Sequence, residues 1–100
     1  MIHYMINLTT VDDGTYNSDV IYPQRLKDEA GILQHRKQAG TVSIQLKGRV
    51  HPDSAWSDIG SAITSITGHV EDIPIFPEMM VTVVTSGGAG ANTVKVWLAE

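Results

Sequence analysis

Along most of this chain apolar and polar side chains take turns, the two-residue period of half-buried strands. In Thr41–Val50, Val42, Ile44, Leu46 and Val50 fall on one face, and Thr41, Ser43, Gln45, Lys47 and Arg49 on the other. A slip of one residue would bury Lys47 and Arg49, so the pairing register is strongly specified. Gly48 takes an inward position, which predicts a bulge or a close neighbour. Ile2–Thr9 sets Ile2, Tyr4, Ile6 and Leu8 against His3, Met5, Asn7 and Thr9. Thr93–Ala99 sets Val94, Val96 and Leu98 against Thr93, Lys95 and Trp97. Val70–Phe76 also alternates, while Met79–Thr85 is apolar almost throughout and predicts a strand covered on both faces.

Turn chemistry separates these runs. Asp12-Asp13-Gly14 and His51-Pro52-Asp53-Ser54 read as tight turns, and Ser86–Asn92, rich in glycine, as a hairpin loop. Asp19–Tyr22 is a short β-branched and aromatic run that Pro23 ends. Ile32–Lys37 is expected to pair with Thr41–Val50 across Gln38-Ala39-Gly40. Ser61–Gly68 suits one helical turn or a loose strand, and Gln24–Ala30 a short helix or a solvated loop. Trp56 and Ile59, after a turn, are assigned to the core, with Met79 and Met80 as gap fillers. Without repeat or linker, these elements predict one all-β domain over residues 1–100. The expected form is a small antiparallel β-sandwich or jelly roll of about seven to eight strands, with an open barrel as the alternative.

Composition narrows the function. Charged residues make up 18% of the 100 residues, below the roughly 25% of an average soluble domain, which suits a chain that sits against other chains. The net charge is −4, and of seven Lys and Arg four lie between Arg25 and Lys37, interleaved with Asp28 and Glu29. No basic face for nucleic acid is expected. Cysteine is absent, which removes disulfides, thiol nucleophiles and Cys-ligated zinc. No apolar run approaches the ~20 residues that cross a bilayer, so no membrane partner is expected. The first residues lack the basic and apolar regions of a signal peptide, which points to the cytosol or to a larger particle.

Candidate chemistry is sparse. His3, His35, His51 and His69 match no ligand spacing and are assigned to surface or turn positions. The Asp12–Asp19 segment fails the calcium-loop pattern and reads as a turn closed by Asp and Asn side chains. Asp53 and Asp58 flank Trp56, yet a glycosidase pair needs a cleft between its carboxyls. No serine sits in a nucleophile elbow, and Gly87-Gly88-Ala89-Gly90 lacks the Lys-Ser/Thr of a phosphate loop. No cofactor, metal or catalytic residue is therefore expected, and the chain is not expected to be an enzyme.

A large aromatic on a polar strand face marks a contact surface or covers a sheet edge. The candidate interface residues are Trp97 and Lys95 from the last strand, Met5 from the first, and Arg25 and Arg36 from the basic segment. A sugar-stacking platform at Trp97 or Tyr16 is the alternative use of such aromatics, and a small hydrolase the third reading.

Val42–Leu98 resembles a pattern in small β-sandwich virion proteins of tailed bacteriophages. The carrying residues are Gln45-Leu46-Lys47-Gly48-Arg49-Val50, the turn His51-Pro52-Asp53-Ser54-Ala55-Trp56, and Asp58-Ile59-Gly60. Ile73-Pro74-Ile75-Phe76-Pro77-Glu78-Met79 follows, leading into Met80-Val81-Thr82-Val83-Val84. In that pattern a strand enters a polar turn, a tryptophan packs beneath it, and a proline-bearing segment leads into a buried strand. The resemblance implies a capsid decoration (cement) protein, or a neck or tail accessory protein, located in the virion and assembled in the host cytoplasm. It further implies capsid or other virion proteins as partners and a homo-oligomer, a trimer being favoured. An adhesion or carbohydrate-binding module is the alternative. The first strand is also placed to add to a neighbour's sheet.

Overall fold

The computed structural model describes residues 2–23, 31–38, 40–64 and 67–100. Eight strands carry them: β1 (Ile2–Val11), β2 (Gly14–Asn17), β3 (Gly31–Gln38), β4 (Thr41–Arg49), β5 (Ser57–Ile63), β6 (Thr67–Ile73), β7 (Glu78–Ser86) and β8 (Asn92–Ala99). They form two antiparallel four-stranded sheets, ordered β1-β8-β3-β6 and β2-β7-β4-β5. Every connection crosses from one sheet to the other except β4 to β5, which is the wrapping of a jelly roll.

The dry layer between the sheets follows the alternation. Val42, Ile44 and Leu46 of β4 meet Val94, Val96 and Leu98 of β8, joined by Leu33, Met79, Val81 and Val83. Position 48 faces inward and requires glycine, because a Cβ there would lie 2.6 Å from Cγ of Phe76. The ring of Phe76 fills the space a side chain would need.

Several expectations are corrected. The 86–92 loop is no hairpin, because it leads from β7 in one sheet to β8 in the other. β3 does not pair with β4; it lies between β8 and β6. Ser61–Gly68 holds the end of β5 and the start of β6, without a helical turn among its described residues. Asp19–Tyr22 makes only an isolated bridge, Ile21 to Met79. β7 is covered on both faces only from Glu78 to Val81, and alternates beyond. Val50 lies outside β4 and is exposed, since pairing ends at Arg49–Glu78. Trp56 is half-buried rather than core, with the Arg49 guanidinium 4.1 Å from its ring centroid. His35 is not a surface histidine: it points inward on β3 and is 2% exposed.

β1 supplies the most instructive correction. Its register shifts between Tyr4 and Ile6, and such a bulge inverts the alternation on either side of it. Ile2 and Tyr4 therefore face solvent, whereas Met5 and Ile6 are buried in the core. Met5 is thus a packing residue and not part of an outer surface. β1 also pairs with β8 of its own sheet. The segment 24–30, and Arg25 with it, lies outside the described residues.

Candidate functional site

The outer face of the β1-β8-β3-β6 sheet gathers three of the five candidate interface residues. Antiparallel pairing brings residues directly opposite one another onto the same side of a sheet, so the register defines rows across this face. Ile2, Ala99 and Ile32 form the first row, Tyr4, Trp97, Gln34 and His69 the second, and Asn7, Lys95, Arg36 and Thr67 the third. Ile2, Tyr4 and Ile32 are 73%, 51% and 46% exposed. Tyr4 meets Trp97 edge-to-face with ring centroids 5.4 Å apart, which fixes the plane of the indole. An open hollow of about 540 Å³ lies over Ile2, Ile32, Gln34, Trp97 and Ala99. A second, of about 640 Å³, continues past Trp97 and Gln34 to Arg36, Gln38 and Thr67.

The electrostatics of this face are unusual. Arg36 and Lys95 are directly opposed across β3 and β8, and like charges so placed destabilise a sheet. Among the described residues, neither has an ion-pair or hydrogen-bond partner. Of the other described cations, Arg49 and Lys37 are engaged. Arg49 donates to Oε1 of Glu78 at 3.1 Å and to the Pro52 carbonyl at 3.2 Å, Lys47 stands opposite Asp58, and Lys37 points inward. The Lys37 ammonium donates to the carbonyls of Val42 (2.7 Å) and Thr64, and burial pushes its pKa below the ordinary 10.5.

Other candidate sites resolve into structural roles. Asp13 accepts hydrogen bonds from Asn92 Nδ2 (2.9 Å) and from the Gly87 and Gly88 amides (3.1 Å each). The bond from Asn92 foremost, then those from Gly88 and Gly87, lowers its pKa below 3.8. The glycine loop thus clasps the chain's own carboxylate, and Asn92, fully buried, also donates to the Val11 carbonyl. Tyr16 packs against the core and donates its hydroxyl to the Asp12 carbonyl at 2.7 Å, so it offers no stacking platform. His51 accepts the Asp53 amide within its turn, His69 lies beside Glu71 on the surface, and His3 pairs with Glu100. Among the described residues no three His, Asp or Glu side chains are grouped to hold a metal ion.

The edges of both sheets are poor templates for strand addition. β1, β5 and β6 each carry a register shift, and β2 has four residues. Thr10 and Asp72 hold positive φ on β1 and β6, at 50° and 58°. Bulged or very short edges discourage pairing with another chain.

No protein-family model matches this sequence, and no curated protein matches it.

Proposed function

We propose that this chain is a structural assembly protein working through the outer face of its β1-β8-β3-β6 sheet. We place it in a phage virion, as a capsid decoration protein that stabilises the head through protein–protein contacts as a homo-oligomer. The observation that carries the reading is the row structure of that face. Exposed Ile2, Tyr4 and Ile32 surround an oriented Trp97, beside an Arg36/Lys95 couple that has no partner among the described residues. Aromatic and arginine side chains amid apolar surface are the composition of interface hot spots. Jelly rolls serve this structural role in viral capsids. The phage setting rests on the resemblance of Val42–Leu98 to small virion sandwiches.

Light scattering on a size-exclusion column tests the assembly role: an oligomer at micromolar concentration is expected, with a buried interface above roughly 1,000 Å². A strictly monomeric species would remove the oligomer and leave docking onto another virion protein. Neighbouring genes test the setting. Capsid or tail genes are expected beside this one, and a metabolic operon would overturn the virion assignment.

One observation favours a second reading. The edge-to-face Tyr4–Trp97 pair, with Gln34 and His69 in the same row, also forms a sugar-stacking platform. Glycan-array binding abolished by Trp97→Ala would support it, and a blank array with the folded protein would remove it.

A further inference from the structure

The two sheets part along one side. Between edge strands β5 and β6 a slot of about 320 Å³ reaches down to Leu33 and Leu46, walled by Ile59, Ile63 and Ile73. Glu71 and Asp72 stand at its rim, and both are exposed. The molecule therefore carries two complementary patches. One is an exposed apolar surface beside two cations that have no acidic partner among the described residues; the other is an apolar slot flanked by two acids.

We propose that these patches meet between copies of this chain, the β5/β6 slot of one molecule receiving the outer face of the β1-β8-β3-β6 sheet of the next. This rests on the assembly reading above and names its partner as a second copy. Apolar Ile2 and Ile32 enter the slot, and Glu71 and Asp72 supply carboxylates that Arg36 and Lys95 lack among the described residues. Charge complementarity argues for this occupant: the chain has a net charge of −4, and among the described residues exposed Arg36 and half-buried Lys95 have no ion-pair partner, whereas Glu71 and Asp72 are exposed acids. The contact is heterologous, because the two surfaces are different parts of one molecule.

Two charge variants test it. The face variant is Arg36→Glu with Lys95→Glu. The edge variant is Glu71→Lys with Asp72→Asn, because asparagine tolerates the left-handed backbone at that position. Each is checked for an unchanged β circular dichroism spectrum and then weighed by sedimentation velocity. Each variant alone is expected to associate at least tenfold more weakly than the wild type. Mixed in equal amounts they are expected to recover association, since each face then meets an edge of opposite charge. A folded edge variant that keeps the wild-type mass, or a mixture that stays monomeric, would overturn the proposal. A monomeric wild type at 100 micromolar-scale loading would overturn it too, while docking onto another virion protein would survive.

Discussion

The two sheets are built alike on the inside and differently on the outside. Both present mainly aliphatic side chains to one shared core. On the outer face of β2-β7-β4-β5 the rows are Thr15, Val84 and Ser43, then Asn17, Thr82 and Gln45. Several of its polar groups are satisfied within the fold. Thr82 donates to Asn17 at 2.8 Å, Gln45 donates to the carbonyls of Leu46, Ile59 and Gly60, and Arg49 binds the buried Glu78. On the opposite face Arg36 and Lys95 have no partner among the described residues and stand amid exposed aliphatic and aromatic surface. A charge that a fold satisfies internally supports the fold. A charge left without a partner beside apolar surface is available to another molecule.

That contrast can be broken most forcefully at Arg49. Its Arg49→Ala variant leaves the Glu78 carboxylate buried without its cation, and should lower unfolding stability by about 3 kcal/mol in urea titration. A loss no larger than that of an exposed ion pair would show that the β4–β7 charges are not structural. Next in size is Trp97→Ala, expected to weaken self-association by about 2 kcal/mol with little change in the urea midpoint. Gln45→Ala on the other face should leave association unchanged, and equal effects of the two would erase the distinction. Smaller again is Lys95→Ala, which relieves the cross-strand repulsion with Arg36 and should raise stability of the monomer by about 0.2–1 kcal/mol. A destabilisation there would mean Lys95 has a structural partner after all.

The smallest effect is one of pH. The folded-state pKa of Asp13 is depressed, so its stabilisation is present above about 3.8 and lost as pH falls through the lower folded value. Melting curves of wild type and Asp13→Asn should differ at pH 6 and converge in acid. A difference that persists unchanged at pH 2 would contradict the role given to that carboxylate.

The strands were legible wherever alternation was clean. β4 and β8 lie where their patterns place them, with Val42, Ile44, Leu46, Val94, Val96 and Leu98 all inward. Trp97 and Lys95 were legible as outward for the same reason. β3 was not, because its pattern opposes its position: Ile32 faces out while His35 and Lys37 face in. Pairing on both sides, with β8 and β6, fixes that parity. The buried ammonium is accepted because the carbonyls of Val42 and Thr64 receive it, and no local rule announces a partner as distant in sequence as Thr64. Met5 was misplaced because a single bulge inverts the period, and a bulge leaves no mark in an apolar run. Strand pairing itself was misread at two loops, since a short glycine-containing connection serves equally well to turn within a sheet or to cross between sheets. Tyr4 belongs to the site and escaped notice because the same bulge turned it outward to meet Trp97.

The two tryptophans report the two halves of this comparison, Trp97 from the β1-β8-β3-β6 face and Trp56 from beneath Arg49 beside the other sheet. Their indole N–H signals can be followed by two-dimensional nuclear magnetic resonance as protein concentration rises through the range of association. The Trp97 signal should shift or broaden with the gain in mass while that of Trp56 stays in place. A rise in mass that moves the Trp56 resonance and leaves the Trp97 resonance untouched would contradict the assignment of the contact face.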